Sequence, residues 1–324
     1  MDDPRSRREF FTAAAKATAS AMLAGSVGRT LAEASQPGLL PRRTLGRTGV
    51  EVAIIGLGLA PLGMAGFSPQ EFQAVVEAAI AEGVSYLDMQ PNYGEAESLL
   101  APVLRKNRDR LFVVTKTWEQ SKQDVMGSIA GSLERLGVPF IDAVLLNNIG
   151  GYDLKALFGA DGAMAGLREA RRRGQVRFLG LSGHYRPGYF VRALESGEFE
   201  IVMAPLNFVD RHVYAFEHDI LPAAAKCGAG VVAMKTLGGA VGLKYDTREQ
   251  TAMLPASDHR SAIHYVLGLP QVSCAVIGCK SVEEVRLATL AGRQYRPLSE
   301  SELADVLAQG KELGAQWGAR YPEG

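Results

Sequence analysis

The sequence predicts an α/β fold, a (β/α)8 TIM barrel with an N-terminal β-hairpin and an extra C-terminal helix. Short apolar runs alternate with segments of helical periodicity eight times along the chain, the rhythm of repeated βα units. The runs are near-continuously apolar, so each strand is covered on both faces, as in a parallel sheet. Three successive runs also end on reactive groups: Asp88 with Tyr93 just beyond it, Lys116, and Asn147. In a parallel barrel those strand ends share one face, the face that carries chemistry.

Taken in order, turn residues at Leu45-Gly46 and Thr48-Gly49 frame the hairpin, and 52–59 reads as the first continuous apolar strand. Helical periodicity over 72–81 is introduced by Ser68 as N-cap, Pro69 at the first helical position and Glu71 three residues after the cap. Gly83 ends that helix. Strands follow at 84–89, 111–115, 141–146, 176–181, 201–205, 231–234 and 272–277. Between and after them lie helices at 95–106, 122–136, 162–173, 187–195, 214–226, 260–267 and 282–291. A last helix over 300–313 is left over and is expected to lie across the barrel. The longest connection, 236–259, fits either a loop that wraps a ligand or a disordered insertion.

The 324 residues suit one such domain, 35–324, preceded by an address at 1–34. Ser6-Arg7-Arg8-Glu9-Phe10-Phe11 resembles a twin-arginine export signal, followed by an Ala-rich run over 12–27 and Ala32-Glu33-Ala34 as a cleavage pattern. The expected partner is the twin-arginine export machinery and the expected location periplasmic or extracellular. Lys16 and low hydrophobicity argue against stable membrane insertion. Lys+Arg and Asp+Glu are both 35, which gives no reason to expect nucleic acid as a partner. Cys227, Cys274 and Cys279 are odd in number, and the last two lie about 16 Å apart along an extended strand, too far for a disulfide.

A phenol is a poor acid or base at neutral pH unless something stabilises its anion. An ammonium about 4 Å away contributes up to ~4 kcal/mol at an effective dielectric of 20. Lys116 is expected to do this for Tyr93, with Asp88 holding Lys116 charged and oriented. The same spacing also fits a buried ion pair with Tyr93 merely packed beside it.

From about Arg42 to about Ala291 the sequence resembles the aldo-keto reductases. The resemblance rests on RTLGRTGVEVAIIGLG, LDMQPNYG as D-x-x-x-x-Y-G, the lysine closing FVVTK, then QVRFLGLS, MKTLGG and VIGCKSVEEVR, in that order. It implies that Tyr93 donates a proton to a carbonyl oxygen as hydride arrives from a nicotinamide, tuned by Asp88 and Lys116. It implies further that Ser182 binds the carboxamide, that Lys235 joins the cofactor set, and that Lys280, Ser281 and Arg286 take the adenosine 2′-phosphate of NADP(H). The substrate implied is a small carbonyl compound or alcohol.

The chain departs from the family pattern in three places. Asn147 stands where D-x-x-x-x-H ends in histidine, and an amide cannot relay a proton. Met203 stands where a glutamine often reaches the nicotinamide. Gly183-His184 replaces the common asparagine after Ser182, and His184 is either an imidazole in the pocket or a solvated loop side chain. Three readings fit: an exported NADP(H)-dependent oxidoreductase, a nucleotide-binding accessory barrel, and a lyase or isomerase using Tyr93 as base. Gly56-Leu57-Gly58 followed by Gly63 lacks the spacing of a dinucleotide fingerprint.

Overall fold

The computed structural model describes residues 39–321. An antiparallel hairpin, β1 (Arg42–Thr44) and β2 (Glu51–Ala53), precedes eight parallel strands. These are β3 (Ile55–Gly58), β4 (Tyr86–Asp88), β5 (Phe112–Thr117), β6 (Ile141–Leu146), β7 (Val176–Ser182), β8 (Ile201–Pro205), β9 (Gly230–Met234) and β10 (Val272–Gly278). They close in sequence order, β10 pairing with β3. The predicted (β/α)8 barrel is the observed fold. Among the described residues no helix is long and apolar enough to cross a membrane. The twin-arginine motif and its cleavage pattern lie outside the described residues.

The predicted strand over 52–59 is divided at Ile54, whose N–H donates to the Pro41 carbonyl at 2.9 Å. Val52 therefore belongs to the hairpin, and the barrel strand starts at Ile55. The hairpin plugs the amino end of the barrel: Leu45 and Val52 pack into the same interior cluster as Tyr86, Phe112 and Ile201. The predicted helix start at Ser68 is observed as a full capping box. Ser68 Oγ accepts from Glu71 N at 3.3 Å, and the Glu71 carboxylate accepts from Ser68 N at 2.8 Å.

The last helix runs Glu300–Trp317, a turn longer than its sequence pattern. It packs on the segment after β8, with Gly310 against the Phe208 carbonyl, where a side chain would collide. The chain beyond it turns back toward the carboxyl mouth of the barrel. The 236–259 connection is an ordered loop, pinned by a bridge between Ala240 and Ala252. Arg168, Arg171, Arg172 and Arg173 each meet a glutamate, leaving no basic patch there.

Alternation along the strands decides what faces the barrel axis. Tyr86, Phe112, Val114, Ala143, Leu145, Phe178, Ile201, Met203, Val232, Cys274 and Val276 fill the interior. Gly180 belongs to this parity and has no room for more: a Cβ there would press into Leu145 and lie 2.8 Å from the Ile201 carbonyl oxygen. Gly180→Ala is expected to destabilise the fold by about 1–3 kcal/mol through overpacking. Urea unfolding checks this, as a lower midpoint at unchanged m-value.

Candidate active site at the carboxyl mouth of the barrel

The parity that fills the interior also builds the mouth. Two residues above Tyr86 on β4 stands Asp88; two above Val114 on β5 stands Lys116; two above Leu145 stands Asn147; two above Gly180 on β7 stands Ser182. All four are buried polar groups. Lys116 Nζ donates to Asp88 Oδ1 at 2.6 Å and to the Met89 carbonyl at 3.1 Å. The ammonium lies 5.5 Å from the centroid of the Tyr93 ring. Burial pushes the Asp88 carboxyl up and the Lys116 ammonium down from their ordinary values, and each charge opposes that shift in the other.

Tyr93 is held in place by glycines. A Cβ at Gly63 would collide with the Tyr93 carbonyl oxygen, and one at Gly94, whose φ is +54°, would collide with the Gly63 carbonyl. Gly63 thus serves backbone contact with the tyrosine loop. The expectation that Lys116 makes the phenol acidic is corrected. Burial, with the charge of the Asp88 carboxylate behind it, raises the Tyr93 phenol well above its ordinary value. Lys116 directs its N–H bonds to Asp88 and Met89, and among the described residues the Tyr93 hydroxyl has no side-chain hydrogen-bond partner. At neutral pH Tyr93 is a phenol with its proton.

Asn147 anchors a second chain of hydrogen bonds. Its Nδ2 donates to Gln90 Oε1 at 2.9 Å, and its Oδ1 accepts from Ser182 Oγ at 3.1 Å and from Asn148 N at 3.1 Å. Ser182 is fully buried and its hydroxyl is engaged with Asn147. Met203 lies in the packed interior. Asp142, at the other end of the family pattern, faces away from the axis and holds Arg108 at 2.7 Å, Arg177 at 2.6 Å and the Val113 N–H at 2.9 Å.

Residues 54–268 match the model of the Aldo/keto reductase family. The chain belongs to that family. A pyridoxal 4-dehydrogenase from Microbacterium luteolum is 27% identical, over 76% of this chain and 91% of that protein. An L-galactose dehydrogenase from Arabidopsis thaliana is 24% identical, over 82% and 93%. An aldo-keto reductase from Bacillus halodurans, 19% identical, superposes with a TM-score of 0.68 over 82% of this chain and 95% of that one, a likeness of fold. This aldo-keto reductase is therefore an oxidoreductase, of a family that generally works with NAD(P)H.

The expected cofactor residues occupy two places in this aldo-keto reductase. Lys280, Ser281 and Arg286 gather at the first turn of the helix Val282–Arg293, just past β10. Lys280 Nζ donates to the carbonyls of Arg248 and Gln250 in the long loop. Ser281 Oγ is the N-cap, accepting from Glu284 N at 3.1 Å. Arg286 is exposed and 3.9 Å from Glu82. Lys235, with φ +57° at the end of β9, donates to the Tyr245 hydroxyl and lies 4.5 Å from the centroid of that ring. Its charge acts on Asp88, Lys116 and His184, which places it at the carboxyl mouth of the barrel.

Gln90, Tyr245 and Tyr321 are mouth residues that no motif singles out. Gln90 had a signal, since it continues the inward parity of Tyr86 and Asp88. Tyr245 and Tyr321 arrive from a loop and from the tail, so only tertiary structure brings them in.

Removing one partner of a buried ion pair leaves an uncompensated charge. Lys116→Met is expected to destabilise the protein by about 3–5 kcal/mol, and adding Asp88→Asn to it should restore part of that loss. Denaturation of both single variants and the double variant checks the coupling.

Proposed function

We propose that this chain is an NADP(H)-dependent oxidoreductase that exchanges hydride with a small carbonyl compound or alcohol, with Tyr93 as proton donor. The observation that carries the reading is the buried Lys116–Asp88 pair, 2.6 Å long, set against the face of the Tyr93 ring at the carboxyl mouth. When bound, the nicotinamide supplies or accepts the hydride.

In reduction the carbonyl carbon gains hydride and its oxygen gains the proton of Tyr93, leaving a phenolate to be reprotonated from solvent. The raised phenol pKa keeps that proton available at neutral pH. Lys116 and Lys235 bring positive charge to the place where the substrate oxygen and then the phenolate become negative. Asn147 and Ser182, already linked, offer amide and hydroxyl groups to the carboxamide or the substrate oxygen.

The donor set fits the dinucleotide. Lys280 and Arg286 stand at the first turn of a helix of 12 residues, whose free N–H groups favour anions, and this supports the 2′-phosphate of NADP(H). Glu283 and Glu284 in the same turn oppose it, so Lys280 must leave its loop carbonyls and turn to the phosphate. Arg7-Arg8 support export by the twin-arginine route, which carries folded protein, so the chain would leave the cytoplasm with its dinucleotide in place.

NADPH consumption against a panel of aldehydes, ketones and enones is expected with wild type. In Tyr93→Phe it should fall by at least about 100-fold with NADPH affinity retained. Binding without turnover would instead mark an accessory protein, and substrate conversion without NADPH change would mark a lyase or isomerase. The working form of Tyr93 is the protonated one and its pKa is raised, so the reduction rate should show no loss from phenol ionisation up to about pH 9. A decline with phenol character below that pH contradicts the assignment. Lys280→Met should weaken NADPH binding more than NADH binding.

A further inference from the structure

His184 lies two residues past Ser182, on the turn that leaves β7. Gly183 brings it there: a Cβ at that position would stand 3.0 Å from the Phe190 ring, 3.2 Å from Ile149 N and 3.3 Å from Asn148 Cα. The turn after β7 is thereby pressed onto the turn after β6. Asn148 takes the left-handed conformation, φ +57°, and its Oδ1 lies 3.3 Å from His184 Nδ1. On the other side the imidazole packs against the Tyr321 ring, centroids 5.7 Å apart, and Tyr321 is fixed by its hydroxyl bond to Asp210 at 3.2 Å.

The other histidines are elsewhere. His264 Nε2 meets the Ala291 carbonyl and His259 Nε2 the Leu254 carbonyl. His218 lies exposed beside Asp219, and His212 sits among Arg211, Lys311 and Glu217. His184 is thus the imidazole of the mouth.

We propose that His184 is a specificity-determining residue whose Nε2 accepts a hydrogen bond from a hydroxyl group of the substrate, so that the preferred substrates are hydroxylated carbonyl compounds and polyols. This rests on the oxidoreductase reading of the same site. With an oxygen of Asn148 facing Nδ1, that nitrogen carries the ring proton, and Nε2 presents its lone pair. Among the described residues Nε2 has no hydrogen-bond partner. The groups that face the ring are Lys235 and Lys116, both cationic, with Asn148 and Tyr321. Burial and the two lysines hold the imidazole at a pKa of about 3, so it stays neutral and an acceptor across the working pH range. A bare carbonyl oxygen has no proton to offer such an acceptor; a hydroxyl beside the reacting carbon does. A substrate lacking it leaves a partly buried acceptor unpaired, which is the strong form of discrimination.

The test compares glyceraldehyde with propanal, three-carbon aldehydes that differ in their hydroxyls, on the full chain with NADPH. Wild type is expected to favour glyceraldehyde in kcat/KM by at least about tenfold. His184→Leu should erase the preference by raising KM for glyceraldehyde, leaving propanal turnover and NADPH affinity unchanged. His184→Gln, which keeps an acceptor oxygen, should retain most of it. A preference that survives in His184→Leu, or equal losses on both aldehydes, overturns the proposal. Nitrogen-15 NMR of the NADP⁺ complex gives a readout independent of turnover: Nε2 should be unprotonated and should shift on adding glycerol but not on adding buffer alone. If neither aldehyde consumes NADPH, the oxidoreductase reading fails, while a glycerol-dependent Nε2 shift still upholds the hydrogen bond and its absence overturns it.

Discussion

The ion pair between Lys116 and Asp88 is the constraint on which the mouth of this barrel depends. Two opposite charges have been taken almost wholly out of water, a state that is stable only when each is matched in place. The match is made by neighbouring strands. β4 and β5 pair in register through Tyr86 with Phe112 and Asp88 with Val114, so Lys116, two residues beyond Val114 on the same parity, extends over the end of β4. The second hydrogen bond of the ammonium, to the Met89 carbonyl, ties the turn that leads to Tyr93. Strand register, charge pairing and loop position are therefore one arrangement.

Beneath that layer the barrel is sealed by aromatic and aliphatic packing. Tyr86 stacks on Phe112 at 5.6 Å and Phe112 on Phe178 at 6.0 Å, a floor below Asp88, Lys116 and Ser182. Leu45 and Val52 close the far end from the hairpin. Such a floor keeps water from reaching the ion pair from below and leaves the carboxyl face as the open side. The low-dielectric surroundings explain why burial leads every shift at the mouth, raising the Tyr93 phenol and lowering the His184 imidazole. Two neutral, proton-bearing groups therefore stand beside two cations.

Much of this was legible from the sequence because it follows from period two. A strand that alternates inward and outward must place Asp88 above Tyr86 and Lys116 above Val114, and the apolar runs that signal the strands also locate their ends. The Ser68 capping box was legible for the same reason, being local. What was not legible came from contacts far apart in sequence. The break at Ile54 depends on Pro41 and on the hairpin folding under the barrel. The sign of the Tyr93 shift depends on burial, with Asp88 behind it, and burial at the mouth is set by tertiary packing. Lys116 lies 5.5 Å from the ring centroid, but its hydrogen bonds go to Asp88 and Met89, and a cation so engaged does not offset the loss of water around a phenol.

The balance of charge at the mouth bears on the proposed reduction. Lys116 is neutralised by Asp88, whereas Lys235 bonds to the Tyr245 hydroxyl. The layer thus carries about one unit of positive charge in excess, held by groups already oriented before any substrate enters. Hydride addition to a carbonyl builds negative charge on oxygen, and under the proposed mechanism donation of the Tyr93 proton would move that charge to the phenolate. Both anions would then form in a mouth that also holds Lys235, in surroundings where charge is screened far less than in water. A carboxylate in place of Tyr245 would cancel the excess and remove the advantage.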